Sequence, residues 1–421
     1  MTPLRTAAIV AVGSELLTPH RADTNSLHLT GQLNDLGIDV RAKYVVRDDR
    51  REIIACVNGA LAHADLVITT GGLGPTDDDV TREAVAEACG LALSEDAQVL
   101  AVIRDRFARR GITMAENNRR QAQVPEGAAP LANVNGTAPG LWIERGAKVI
   151  VLLPGPPREL ETMYASLVEP RLAPRTAGRR LLRRVIKITG RAESSVDAVA
   201  QPIYQGFRHW PIPIETTILA ARGQIELHLV AAAADVAAVN DALDRAVAAL
   251  TGAVGPAVFS VDGRSLEQVV GQQLDARRYT IAVAESCTGG LVMVRLTDVP
   301  GSSAWVKGGV VAYANDVKIR ELGVPASMIA AHGAVSEPVA AAMARGIAHR
   351  SGADVGVGVT GIAGPAGGTV DKPVGTVVMA IDLPSGRHAV QTRQFAGDRR
   401  LIRQLAAQAA LDLVRRTLTI E

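Results

Sequence analysis

Residues 6–12 (TAAIVAV) are an apolar run ending at Gly13, and residues 23–37 then place Leu27, Leu29, Leu33 and Leu36 at helical spacing before a closing glycine. A short continuous apolar run reads as a strand buried on both faces, and recurrence every three or four residues as a helix with one buried stripe. The same unit repeats along the first third of the chain. Residues 38–46 predict a strand, 50–64 a helix, 65–72 a strand, 78–90 a helix, 147–155 a strand and 157–172 a helix. Strands alternating with helices of this length predict an α/β domain with a doubly wound, mostly parallel sheet.

The pattern changes after the arginine-rich stretch RLAPRTAGRRLLRR (171–184), which marks a boundary. Residues 183–190, 193–204, 216–233 and 235–255 predict a strand, a helix, a hairpin and a second helix, which form a small α+β connector. A third, three-layer α/β domain begins near Ser260, with helices at 265–277 and 290–298, strands at 279–285, 310–314, 355–361 and 374–382, and a last helix from Asp398. The predicted domains are residues 1–173, 174–259 and 260–421. No repeat of 20–50 residues is visible.

Composition narrows the field. Forty-five Lys and Arg against 43 Asp and Glu leave a net charge of +2, and aromatics are 3%, so neither an electrostatic footprint nor stacking platforms point to nucleic acid as a partner. The three cysteines, Cys56, Cys89 and Cys287, have no C-x-x-C spacing for a thiolate metal site or a disulfide framework. The N-terminal apolar run is too short for a secretion signal, and no stretch nears the roughly 18 apolar residues of a membrane span. A cytoplasmic protein with no membrane partner is expected.

LVITTGGLGPTDDDVTREAV (66–85) sets a glycine-rich turn directly after a strand. Glycines let a ligand approach the backbone, and free N–H groups at a helix start favour anions. Asp77, Asp78 and Asp79 follow, and two readings compete for them. They cap the helix, or they hold a hard divalent cation beside a phosphate. Gly71-Gly72-Leu73-Gly74 with Asp79, and LLPGPPREL (152–160), resemble the molybdopterin-binding fold family. GSELL (13–17), DTNS (23–26), NRRQAQVPEGA (118–128) and NVNGTAPG (133–140) make the stretch similar to the N-terminal domain of the CinA (competence/damage-inducible) family. That resemblance implies a metal-dependent ADP-ribose pyrophosphatase. Its nucleotide site would comprise Gly13, Glu15, Asn25, Gly71, Gly72, Gly74, Thr76, Asp79, Gly136, Pro154 and Gly155, and some of Asp77–Asp79 would hold a divalent cation, with potassium as a further cofactor. The chain departs from the family at 18–22, where TPHRA replaces a segment that usually carries a glycine.

In the third domain, YTIAVAESCTGGLV (279–292) reads as strand, turn and helix, and places Glu285, Ser286, Cys287 and Thr288 at the carboxyl end of a strand, where open α/β sheets bind ligands. A nucleophile there needs a base. None of the eight histidines falls in a glycine-rich motif of this domain, whereas Lys318 follows a strand that also offers Tyr313. A lysine serves as base once its pKa is lowered, and burial plus a positive neighbour such as Arg399 are the expected causes. GVTGIAGPAGGT (358–369) presents Thr360, and QFAGDRR (394–400) brings Arg399 and Arg400 to the last helix.

This set resembles the nicotinamide mononucleotide deamidase domain of CinA proteins. The resemblance implies Ser286 as nucleophile, Lys318 as general base, and Tyr313 and Thr360 as supporting residues. It implies substrate contacts from Thr288, Gly289, Gly290, Gly361, Gly364, Gly367, Gly368 and either Arg399 or Arg400, of which Arg399 is preferred. Backbone N–H groups near Gly289 and Gly361 would hold the oxyanion, Cys287 would point away, and this domain would need no cofactor. A bifunctional enzyme of pyridine nucleotide recycling, acting as a homodimer on nicotinamide mononucleotide and ADP-ribose, is the resulting expectation. The alternatives are a non-catalytic pterin- or nucleotide-binding regulatory protein linked to competence or DNA damage, and a nucleic-acid-binding factor, for which YQGFRHWP (204–211) lacks the G-x-x-G clamp.

Overall fold

Every residue of strand β1 (Thr6–Val12) after the first is buried, and its two faces feed two separate cores in the computed structural model, which describes residues 2–221 and 223–420. Ala8, Val10 and Val12 pack with Ile53, Val57, Ala84 and Val85, while Ala7 and Ile9 pack with Leu29, Leu33, Leu160 and Val168. Side chains of a strand alternate between faces, so a continuous apolar run is what a sheet covered by helices on both sides requires. Each fully buried Val, Leu or Ile contributes about 1.5–3 kcal/mol.

The chain continues through α1 (Thr24–Asp35), β2 (Asp39–Val46), α2 (Arg50–His63), β3 (Leu66–Thr70) and α3 (Thr81–Cys89). Next come β4 (Leu93–Glu95), α4 (Ala97–Arg109), β5 (Gln123–Pro125), β6 (Ala129–Leu131), β7 (Gly140–Arg145) and β8 (Lys148–Leu153). Helices α5 (Pro157–Met163) and α6 (Glu169–Leu172) are joined by one π-helical turn at Tyr164–Val168. The six-stranded sheet runs β2-β1-β3-β8-β7-β6, parallel through β8 and antiparallel in β7 and β6. Strands β4, β5 and β6 have three residues each, too few to leave a periodic signal in the sequence.

The middle of the chain supplies β9 (Arg180–Thr189), α7 (Glu193–Phe207), β10 (Glu215–Ala221), β11 (Gln224–Ala233), α8 (Val236–Val254) and β12 (Val258–Ser260). These strands form a sheet ordered β10-β11-β9-β12. The expected hairpin is β10–β11; Arg222, within it, lies outside the described residues. By compactness the chain divides into two units. One runs from the N-terminus to Leu182 with Pro211–Pro213 and Val230–Ala242, and the other holds Arg183–Trp210, Ile214–Leu229 and everything from Leu243 onward.

The C-terminal part contains α9 (Leu266–Arg277), β13 (Ile281–Glu285), α10 (Leu291–Thr297), β14 (Val306–Val311), α11 (Asn315–Leu322), α12 (Ala326–His332), α13 (Glu337–Ser351), β15 (Val355–Gly361), β16 (Thr376–Asp382), β17 (His388–Gln394) and α14 (Arg399–Ile420). The sheet runs β14-β13-β15-β16-β17, with β14, β13 and β15 parallel and the other two antiparallel. Ile281, Val283, Val355 and Val357 meet α9 and α14 on one face, and Ala282 and Ala284 meet α13 on the other, which gives three layers.

One strand departs from expectation. The run 310–314 predicts a buried strand carrying Tyr313, but the strand is Val306–Val311, it lies at the sheet's edge, and its residues alternate between half-buried and exposed. Gly308 and Gly309 dilute the apolar signal at its start, and Tyr313 falls beyond its end. Among the described residues, no helix is long and apolar enough to cross a membrane.

Candidate functional sites

Ser286 directly follows β13, where the chain leaves the sheet between its neighbours β14 and β15. Its N–H donates to the Val359 carbonyl at 2.9 Å, which ties the turn to β15. Gly290 begins α10 in the left-handed region (φ 94°) and has no side chain with which to cap the helix. Glu285 does so instead. Its carboxylate, 1% exposed, accepts from the N–H groups of Gly290 (2.9 Å), Val292 (3.1 Å) and Met293 (2.9 Å), the donors that a helix start leaves unpaired.

Lys318, on α11, reaches this turn from the β14 side. It is 1% exposed, and its Nζ donates to the Ser286 Oγ at 3.2 Å, the Ala312 carbonyl at 2.8 Å and the Tyr313 carbonyl at 3.2 Å. Burial lowers its pKa below the ordinary lysine value, and Cys287 works in the opposite direction. Arg399, the expected positive neighbour, is not the cause. Its guanidinium is held elsewhere, on the Tyr313 hydroxyl (2.8 Å) and the Gly364 carbonyl (2.7 Å).

Cys287 packs into the hydrophobic core, and burial pushes its thiol up to about 12, so it is a poor thiolate. Tyr313 is exposed and meets Arg399 through its hydroxyl. Thr360 is buried and donates to the Ala334 carbonyl at 2.9 Å, which anchors the approach to α13. Two expectations need correction. Thr288 is fully buried, so its side chain offers no surface to a substrate. The Gly289 N–H, expected to face an oxyanion, donates to the Ser286 carbonyl at 3.1 Å and closes the turn. Gly361 ends β15 opposite Val377, Gly364 is buried, and Gly367 and Gly368 lie exposed in the loop that follows. Arg400 is exposed, and among the described residues its side chain has no hydrogen bond or ion pair, whereas that of Arg399 is held by Tyr313 and Gly364.

Sequence reasoning missed two residues here. Glu285 was visible beside Ser286, but its role depends on the helix folding back over it. Arg403, four residues after Arg399 on α14, donates from Nη2 and Nε to the Thr288 carbonyl at 2.8 and 3.3 Å. Helical spacing from Arg399 is the signal that could have found it.

In the N-terminal unit, β1, β3 and β8 are adjacent and parallel, and their carboxyl ends release the loops starting at Gly13, Gly71 and Pro154. Gly71 (φ 92°) could not be replaced there, because a Cβ would lie 2.2 Å from the Val12 carbonyl oxygen. Asn25 Nδ2 donates to the Gly155 carbonyl at 2.7 Å. Glu15, Asn25, Thr70 and Gly155 line a cavity of about 460 Å³, and Arg21, from the divergent TPHRA segment, joins them. Gly136 lies apart from it, on a second cavity of about 300 Å³ with Asp96 and Arg106.

The helix-capping role expected of the three aspartates does not hold. Helix α3 begins at Thr81 with no side-chain cap, so Asp77–Asp79 precede it. Asp79 turns back on its own loop and accepts from the N–H (2.9 Å) and hydroxyl of Thr76. Asp77 projects into solvent, 3.6 Å from Arg120. Among the described residues, no three His, Cys, Asp or Glu side chains converge as a metal site.

Two family models match the chain, one described as a probable molybdopterin binding domain over residues 8–174 and the other as the CinA C-terminal domain over residues 263–418. A CinA-like protein of Koribacter versatilis is 47% identical over 416 residues, 98% of this chain and 99% of that protein. One of Acidobacterium capsulatum is 46% identical over 416 residues, with the same shares. The crystal structure of a competence/damage inducible protein from Agrobacterium tumefaciens is 38% identical and covers 37% of this chain and 93% of that one, at a TM-score of 0.36.

Proposed function

From the premise that the chain belongs to the CinA family, with a molybdopterin-binding-like N-terminal domain and a CinA C-terminal domain, we propose that its C-terminal site is a Ser/Lys amidohydrolase that converts nicotinamide mononucleotide to nicotinate mononucleotide and ammonia. The observation that carries this reading is the buried Lys318 amine, its pKa lowered by burial, 3.2 Å from the Ser286 hydroxyl. A neutral amine at that distance removes the hydroxyl proton as the oxygen attacks the amide carbon. The resulting ammonium returns the proton to the nitrogen as the C–N bond breaks and ammonia leaves. Water, deprotonated by the same amine, then attacks the ester on Ser286; the ammonium returns that proton to the serine oxygen as its bond to the acyl carbon breaks, and the acid leaves as the carboxylate, its proton passing to solvent. Arg399, beside the exposed Tyr313 hydroxyl, offers a cation at the site entrance for the anionic substrate.

The second proposed activity is hydrolysis of the ADP-ribose pyrophosphate in the N-terminal unit. The loops after β1 and β8 and the last residue of β3 line one cavity beside adjacent strand ends, which supports it, because such an edge presents backbone N–H groups to phosphates. No step is assigned to a resident cation. Ammonia from nicotinamide mononucleotide and AMP from ADP-ribose are measured on one preparation, the latter with and without added divalent cation. Ammonia and AMP are both expected. No ammonia at any pH sinks the first activity, and no AMP under any condition sinks the second and leaves a nucleotide-binding module.

A further inference from the structure

The turn that carries Ser286 is held from both sides. Glu285, one residue before it, fixes three N–H groups at the start of α10, and Arg403 grips the Thr288 carbonyl two residues after it. The peptide unit that Arg403 engages also carries the Gly289 N–H, which donates to the Ser286 carbonyl. Drawing electron density from a peptide's oxygen strengthens the donor at its nitrogen, so the two bonds reinforce each other. A guanidinium bond to a carbonyl is also about twice as strong as a neutral one. The Thr288 side chain does not share the task, since its hydroxyl is buried with no partner among the described residues. Two glycines in the left-handed region, Gly289 (φ 60°) and Gly290 (φ 94°), follow at once, so the turn has no side-chain packing of its own there.

We propose that Arg403 is a positioning residue. It acts through the Thr288 peptide to hold the Ser286 hydroxyl within reach of Lys318, and it touches neither substrate nor reacting atoms. Arg399 and Arg403 lie four residues apart on α14, so one helix carries both the cation at the site entrance and the brace of the nucleophile's turn.

The inference rests on the Ser/Lys reading of the C-terminal site, and its test separates the two. The full chain and its Arg403→Met, Arg403→Gln and Arg403→Lys variants are exposed to a fluorophosphonate, with labelling of Ser286 followed by mass spectrometry across pH. Steady-state release of ammonia from nicotinamide mononucleotide is measured in parallel. In Arg403→Met and Arg403→Gln, the labelling rate and kcat should fall about 10- to 100-fold, as a displacement of about 1 Å does, while KM stays within about threefold. The pH midpoint of labelling, which reports Lys318, should not move, and Arg403→Lys should recover part of the rate. An unlabelled wild type sinks the Ser/Lys reading itself. A labelled wild type with folded Arg403 variants that label equally fast sinks only the positioning role. A raised KM with kcat kept makes Arg403 a substrate contact, and a shifted midpoint makes it a perturber of Lys318; either overturns the proposal. If one variant fails to fold by thermal melting, the other two decide.

Discussion

Lys318 is a lysine whose burial works against its own charge, and that opposition carries residue-scale consequences. Ser286→Ala should lower deamidation by about 10³-fold or more, as loss of a nucleophile does in other hydrolases. Cys287→Ala should change the rate by less than about threefold, because its thiol is pushed up to about 12 and packs into the core. An active Ser286→Ala, or a folded but dead Cys287→Ala, moves the nucleophile to sulfur. Lys318→Arg should be as damaging as Lys318→Ala, since a guanidinium stays protonated. The sign of the pH dependence follows from the direction of the shift. With the folded pKa lowered, the deprotonated amine grows in as pH rises through that lowered value, and the rate rises with it. Between that value and the unperturbed one of about 10.4, the unfolded chain binds more protons than the folded chain, so folding stability from this group also rises with pH. Relative to Lys318→Met, the wild type should therefore gain stability over that window in urea denaturation, and a difference flat with pH would assign Lys318 an ordinary pKa. The carboxylate of Glu285 and the guanidinium of Arg403 stood in plain view in the sequence, yet their roles come from a helix start and a helix face brought together by folding.

Strand β15 shows the limit of motif reading at the scale of elements. VGVGVTG lies in a glycine-rich motif, but Gly358 answers to packing, because a Cβ there would lie 2.3 Å from the Ala340 carbonyl oxygen of α13. The glycine lets helix and sheet approach closely. Gly358→Ala should destabilise the chain by about 1–3 kcal/mol, the usual effect of overpacking. Gly59 makes the contrast. It sits exposed inside α2, and a methyl group added there would meet nothing within 4 Å, so Gly59→Ala should stabilise by about 0.5–1 kcal/mol. Urea denaturation measures both, and opposite signs are the expected result; equal signs would refute the packing argument. Long periodic elements such as β1, α1, α2 and β8 follow their predicted ranges closely. The edge strand β14 does not, because half-exposed alternation around two glycines leaves little apolar contrast to read.

At the scale of the whole molecule, the two motif sets lie in separate stretches of sequence, which predicts separable activities. Asp79 holds the Thr76 turn of the glycine loop, so Asp79→Ala should abolish AMP release from ADP-ribose while deamidation stays within about threefold. Collapse of both activities in a folded variant would refute the separation. Deamidation should also survive EDTA, because Ser286 and Lys318 supply nucleophile and proton transfer without a Lewis acid, and ammonia release that is lost on chelation and restored by metal would overturn this. The sequence alone determined the α/β class, the parallel strands with helices on both faces, and the family, because apolar periodicity and glycine-rich turns are local properties that survive without knowing what lies opposite. It also singled out Ser286, Lys318 and the loops at 13, 71 and 154 as candidates for chemistry. Only the tertiary structure decided which carboxylates converge and which charges meet. Asp77–Asp79 are adjacent in sequence, yet one faces solvent and another folds onto Thr76, whereas Ser286, Lys318 and Arg403, far apart in the chain, support a single turn. Adjacency along a backbone sets neither side-chain direction nor burial, and both depend on the distant elements that pack against the turn.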